Sequence, residues 1–275
     1  MPHRTKKMSN NQLRRFLFFV VLIALATVYY LYLRTFYDFD TYIWLSNARP
    51  VDRSKCTLPT PISSTETDSN LFRIALLVMY DNADGSWGDE LMSRVLQNKQ
   101  KYCDRHGYTL ILANDMLDYR RPVAWSKLLA VEKHLASNKY DYVFYIDMDA
   151  IIMNAHYKVE KFIQSASLVN QHSDLIMTND WNGLNSGVWI AKNTAWTRWF
   201  LITAWDQEQL VDKYSSKGIP HPFEYEQRAF HYMTYSDVWK KRKLPKYHGN
   251  ITEIRSHFHM FPQCGMYVHY NTITL

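Results

Sequence analysis

The sequence predicts an α/β domain on a largely parallel sheet, preceded by an amino-terminal membrane anchor. Three observations carry this reading. Residues 71–79 (LFRIALLVM) and 142–146 (YVFYI) are apolar runs without polar alternation, as expected of strands covered on both faces. Segments of helical periodicity lie between and after them, so strand and helix alternate as in βαβ units. The second run passes directly into Asp147-Met148-Asp149, at the carboxyl end of a strand, where open α/β sheets bind ligands.

The amino terminus comes first. The chain of 275 residues carries a formal charge of +6, and Arg4, Lys6, Lys7, Arg14 and Arg15 supply five of those charges before any acid occurs. The remainder is nearly neutral, so the basic balance describes a tail and gives no reason to expect a nucleic-acid partner. Residues 16–33 follow without a charge, long enough at ~1.5 Å per residue to cross ~27 Å of hydrocarbon. Tyr29, Tyr30, Tyr32, Phe36 and Tyr37 stand where an interfacial belt would lie. The positive residues precede the span, which predicts a type II protein: 1–15 cytosolic, 16–33 signal anchor, 34–70 stem, 71–275 lumenal domain. The rival is a cleaved signal peptide at Ala24-Leu25-Ala26, against which the apolar run continues past that point. Cys56, Cys103 and Cys264 form no C-x-x-C and no Cys/His cluster of the zinc kind, and their pairing is open.

Residues 34–70 lose apolar periodicity and carry Pro50, Pro59, Pro61 and Ser63-Ser64-Thr65, the composition of a linker. After the strand at 71–79, Asp81 to Gly85 reads as a loop at its carboxyl end. Leu91, Val95, Leu96 and Tyr102 then line one face of a helix over 89–104, which Gly107 ends. A strand over 108–112 and a helix over 123–137 lead to the run at 142. Beyond it, 174–177 and 188–191 read as short strands. Asn193-Thr194 offers an N-cap for a helix with Trp196, Trp199, Phe200 and Ala204 on its apolar side, and 224–235 reads as another helix.

Asp147 and Asp149, spaced by two on an extended chain, should leave the same face while Met148 points away. Two adjacent carboxylates repel unless a cation lies between them, and hard cations such as Mg²⁺ or Mn²⁺ take oxygen ligands.

Several stretches, in order, resemble those of glycosyltransferase family 34, the Golgi family of fungal α-1,2-galactosyltransferases, mannosyltransferase-complex subunits and plant xyloglucan xylosyltransferases. They are Asn98 to Tyr102 with Arg105 to Tyr108, Ala124 to Lys127, Asp147 to Ala150, Trp181 to Gly187, and Glu226 to Ala229. The resemblance covers roughly residues 72 to 235. It implies a GT-A fold, a UDP- or GDP-sugar donor, Mn²⁺ (or Mg²⁺), a glycan acceptor, retention of anomeric configuration, and other Golgi glycosyltransferases as partners.

The resemblance also implies residue roles. Asp147 and Asp149 would hold the metal, and Lys127 would face the donor diphosphate. Asn185, Ser186 and Gly187, lying before a strand, would meet sugar hydroxyls, and Gln227 would lie beside the anomeric carbon. Tyr80, in the loop after the first strand, would lie where base and ribose bind. His269 would complete the metal shell, although Tyr270-Asn271-Thr272 depart from the family's pattern; His257 and His259 are the fallback ligands. Asp180 and Glu226 are the carboxylates to consider for a double-displacement nucleophile, with same-face attack by the acceptor open beside it. Lys240 to Lys243 reads as a solvated face, and Asn250-Ile251-Thr252 is a glycosylation sequon.

Two other readings stand beside this one. A magnesium-dependent phosphohydrolase would place a D-x-D-x-[TV] motif on its first strand, whereas two strands precede Asp147 here. A non-catalytic glycan-binding subunit could share the fold without the activity.

Overall fold

The computed structural model describes residues 11, 18–29, 72–81, 88–180, 183–211, 225–238 and 246–261, and the chain divides into two units, Met1–Pro50 and Val51–Leu275. In the first unit, 18–29 is helical with Phe18, Phe19, Leu22, Ile23 and Leu25 exposed. Among the described residues no helix is long and apolar enough to cross a membrane. The expected span over 16–33 lies partly outside them, as do the stem, Cys56, Cys264, Lys240 to Lys243 and His269.

The second unit is built on a six-stranded sheet in the order β2-β1-β3-β5-β4-β6. The strands are β1 Ile74–Val78, β2 Thr109–Leu112, β3 Tyr142–Ile146, β4 Leu175–Asp180, β5 Gly183–Lys192 and β6 Phe258–Phe261. The helices are α1 Asp89–His106, α2 Ser126–Ala136, α3 Val159–Val169, α4 Ala195–Trp205, α5 Gln227–Tyr235 and α6 Ile251–Ser256. Every residue of β1 and β3 is buried, in keeping with their unbroken apolar runs. Alternation along them divides the core in two. Ala75, Leu77, Val143 and Tyr145 face α2, α4 and α5, while Ile74, Leu76, Val78, Phe144 and Ile146 face α1 and α3. Cys103, on α1, is wholly buried in the second core as a free thiol.

The expectation of a largely parallel sheet needs correcting. The β1–β2, β1–β3 and β4–β6 pairings are parallel, but β5 runs antiparallel to both β3 and β4. Only two residues join β4 to β5, too few for the crossover that a parallel pair needs, so the two form a hairpin.

Local signals held where they were strong. Gly107 ends α1 at φ 72°, the left-handed conformation glycine adopts freely. Thr194 caps α4 by accepting from the Thr197 N–H. The apolar face expected of α4 is displaced, however. Trp199 is exposed, and Thr197, Phe200, Leu201 and Ala204 are the buried set. Three elements arise where the sequence reading placed none: α3, α6 and β6.

Candidate active site

A cleft of about 310 Å³ opens at the carboxyl ends of β1 and β3 and is lined by Tyr80, Lys127, Asp147, Asp149, Asn185, Ser186, Gly187, Glu226 and Gln227. Tyr80, Lys127, Asp147, Asp149, Asn185, Ser186, Gly187 and Gln227 therefore border one cavity, together with the nucleophile candidate Glu226. His269 lies outside the described residues, and the loop over 82–84 does too. His257 and His259 do not line the cleft. His257 stacks on Trp196 at 4.0 Å and shares a contact of 2.7 Å with Asp174, and His259 belongs to β6, on the far side of β5 and β4 from β3.

The strand carrying the carboxylates ends earlier than expected. β3 stops at Ile146, so Asp147-Met148-Asp149 forms a turn, closed by the Ala150 N–H donating to the Asp147 carbonyl at 3.1 Å. Met148 is buried against Met92 and Val95 of α1, while Asp149 is exposed at the mouth of the cleft. Asp147 accepts at Oδ1 from the Tyr145 hydroxyl at 2.8 Å and from Lys127 Nζ at 2.9 Å. Tyr145, two residues before Asp147, was not singled out from the sequence; i, i+2 spacing on a strand was the signal that could have found it.

Asn185-Ser186-Gly187 does not precede a strand, as expected, but lies inside β5. Ile176 pairs with Ile190 and Thr178 with Asn185, so a single residue of β4 faces residues 186–189 of β5. Such bulges re-aim side chains beside active sites. Here the bulge brings the Gly187 carbonyl to the Asp147 N–H at 2.7 Å and turns Ser186 toward α5. The Ser186 hydroxyl donates to Glu226 Oε1 at 2.6 Å, and Gln227 Oε1 accepts from the Ser186 N–H at 3.1 Å. Gln227 opens α5 and ties to β5, so it is not a surface residue detached from the site.

Lys127 is 4% exposed, which excludes a solvated helix lysine. Its ammonium lies 2.9 Å from Asp147 Oδ1 and 2.9 Å from Glu226 Oε1, with the Tyr145 ring at 4.9 Å. Burial opposes its charge, but the two carboxylates outweigh burial and hold its pKa well above the ordinary range. Glu226 is 1% exposed, with Oε2 buried and without a hydrogen-bond partner. Burial raises its pKa, Lys127 opposes that, and the nearby Asp147 charge adds to it. One lysine shared between two carboxylates reconciles these shifts, because the cation gains from both while each anion gets only part of it. Of the two nucleophile candidates, Glu226 lines the cleft; the side chain of Asp180 lies outside the description.

The donor set suits a hard divalent cation in part. The carboxylates of Asp147 and Asp149 both line the cleft, but among the described residues no group of three His, Cys, Asp or Glu side chains could hold a metal. Protein oxygen from Asp147 and Asp149 would need completing by ligand oxygen, water or a residue outside the description, an arrangement normal for cations bound with phosphates.

The chain resembles known proteins over this same region. Residues 72–173 and 165–247 match the model of the galactosyl transferase GMA12/MNN10 family. "Probable glycosyltransferase 6" of Oryza sativa subsp. japonica is 31% identical over 125 residues, 44% of this chain and 26% of that one. "Galactomannan galactosyltransferase 1" of Cyamopsis tetragonoloba is 27% identical over 118 residues, 42% of this chain and 27% of that one. The matched stretch thus spans about a quarter of the length of these curated relatives. A crystal structure of a glycosyltransferase involved in the glycosylation of the major capsid of PBCV-1 superposes with a TM-score of 0.44 at 13% identity, over 70% of this chain and 82% of that one. The family model covers well over half of the chain, from the first strand of the sheet to beyond the helix bearing Gln227. The chain belongs to the galactosyl transferase GMA12/MNN10 family of glycosyltransferases.

Proposed function

We propose that the protein is a retaining, metal-dependent glycosyltransferase with a GT-A-type fold, moving a hexose or pentose from a UDP- or GDP-sugar to a glycan acceptor. The observation that carries this is the convergence of Asp147, Asp149, Lys127 and Gln227 on one cleft. Asp147 and Asp149 would hold Mn²⁺ or Mg²⁺, with His269 as third protein ligand by the family pattern. When bound, the cation neutralises charge developing on the departing diphosphate. Lys127, held charged between Asp147 and Glu226, supplies a second, fixed positive charge beside that position. Glu226 and the Ser186 carbonyl orient Lys127, and the bulge of β5 sets Asn185 against the sugar while the Ser186 hydroxyl stays on Glu226. Gln227 sits beside the reacting carbon, and Tyr80 faces the nucleoside.

We place the protein in the Golgi membrane as a single-pass type II protein with residues 71–275 lumenal. The uncharged run over 16–33 supports this, as does the exposure of apolar side chains all round the helix at 18–29, a surface that water disfavours and lipid accepts.

The test is transfer by the full chain in detergent against a panel of UDP- and GDP-sugars with Mn²⁺. Transfer that is lost in excess chelator and in Asp149→Ala supports the reading. Donor binding without transfer or hydrolysis for any sugar would return the chain to the glycan-binding alternative.

A further inference from the structure

Lys99 takes no part in the mechanism above, yet it is 0% exposed and among the largest fully buried side chains of the molecule. An ammonium loses several kcal/mol of hydration on burial, and a methionine would fill similar volume without that loss. Its contacts show what the charge does there. Nζ donates to the Ala150 carbonyl at 2.6 Å and to the Met148 carbonyl at 3.4 Å, one on each side of Asp149. The preceding residue, Asn98, clamps the same turn. Its Nδ2 donates to the Ile152 carbonyl at 3.0 Å, and the Ile152 N–H donates to its Oδ1 at 2.9 Å. Two consecutive residues of α1 thus hold the backbone from 148 to 152, while Met92 and Val95 of the same helix pack on Met148.

The electrostatics agree with this geometry. Burial lowers the Lys99 pKa to about 8, and the charges of Asp149 and Asp147 act against that fall. The ammonium therefore lies in the field of both carboxylates and eases their mutual repulsion. Whereas Lys127 occupies Asp147 Oδ1, Lys99 donates to the carbonyls of Met148 and Ala150 and leaves carboxylate oxygen to other ligands.

We infer that Lys99, with Asn98, is a positioning residue that fixes the turn from Asp147 to Ile152 so that its two aspartates face one divalent cation. This rests on the metal reading proposed above. The test is Mn²⁺ binding to the full chain, followed by loss of the free-ion electron paramagnetic resonance signal with UDP and, separately, GDP present. Thermal unfolding is measured alongside. Lys99→Met should weaken Mn²⁺ binding by about tenfold or more, Asn98→Ala by severalfold, and Lys99→Arg should recover part of the loss. A purely structural lysine would lower Tm and leave Mn²⁺ binding unchanged, and that result would overturn the inference. If Lys99→Met fails to fold, Asn98→Ala and Lys99→Arg decide it in the same way. Asp149→Ala separates the two readings. If it binds Mn²⁺ like the wild type, or the wild type binds none, the metal reading fails and this inference with it. If Asp149→Ala loses the ion while the Lys99 and Asn98 variants keep it, only this inference fails.

Discussion

Gly187 lies against Asp147 so closely that a Cβ on the glycine would stand 2.7 Å from Asp147 Oδ2 and 3.1 Å from Asn185 Oδ1. The carboxylate keeps its place because residue 187 has no side chain. Gly187→Ala should push Asp147 off Lys127 and Tyr145, costing about 1–3 kcal/mol of stability. Transfer activity should fall by more than tenfold, as followed by donor turnover beside a melting curve. Wild-type turnover in the alanine variant would show that Asp147 can move without consequence.

Lys127→Met leaves two carboxylates facing each other in a buried space, and breaking such a pair costs about 3–5 kcal/mol. The damage should be pH-dependent. Removing Lys127 takes away what opposes the raised Glu226 pKa, so the folded protein holds that proton more tightly than the unfolded chain does. Stability is then greatest below the unfolded Glu value of ~4.3 and is lost as pH rises through the folded value. Adding Glu226→Gln should recover much of the Tm at pH 7. No recovery in the double variant would mean that Asp147 alone sets the lysine's worth.

Gln227→Ala removes the acceptor for the Ser186 N–H but leaves the Ser186 hydroxyl on Glu226. If the amide acts mainly in the transition state, kcat should fall by about tenfold or more with donor KM nearly unchanged. A rise in KM at constant kcat would make it a ground-state binding group instead.

Alkaline pH should weaken the second core. Burial raises the Cys103 and Tyr142 pKa values to about 12, and burial, helped by Glu160, also raises those of Tyr102 and Tyr108. Unfolded thiols and phenols release their protons near ~8.5 and ~10, so the folded state holds protons that the unfolded chain gives up. That stability is present below ~8.5 and lost as pH rises through the folded values. Tm should decline steadily between pH 8.5 and 11, and Cys103→Ala should flatten the start of the decline. Mass spectrometry should find Cys103 unmodified by iodoacetamide at pH 8 in the folded protein. Rapid labelling would mean that α1 opens locally.

The elements legible in the sequence were those whose signal is local. β1 and β3 announce themselves as unbroken apolar runs, and α1 by its periodicity and the glycine after it. In α3, Val159, Ile163 and Ala166 also recur at helical spacing, but its N-cap position is a lysine without a capping bond. β6 has only four residues and owes its strand character to its partner β4. The antiparallel β4–β5 pair was not legible because Asn179, Asp180, Gly183, Asn185 and Ser186 are polar or glycine residues that read as a loop, which hid the two-residue hairpin connection. The site divides in the same way. Asp147 and Asp149 follow from spacing alone, whereas the burial of Lys127 depends on Glu226, some hundred residues later. Gln227 was reached only through family resemblance, since an amide opening a helix has many other uses.

The bulge in β5 also has a consequence for how this protein can change. Insertions in surface loops usually lengthen a connection and leave the scaffold alone. Residues 186–189 look on paper like such a tolerant spot, yet Val188 and Trp189 pair with β3, and Asn185 and Ile190 on either side pair with β4, so the phase is set at both ends. Removing one residue there would invert the inward–outward alternation between Asn185 and Val188, carrying Ser186 or Gly187 to the opposite side of the sheet. On the function proposed above, new sugar preferences would come through exchanges of side chains at 185, 186 and 225–228 and not through changes in length.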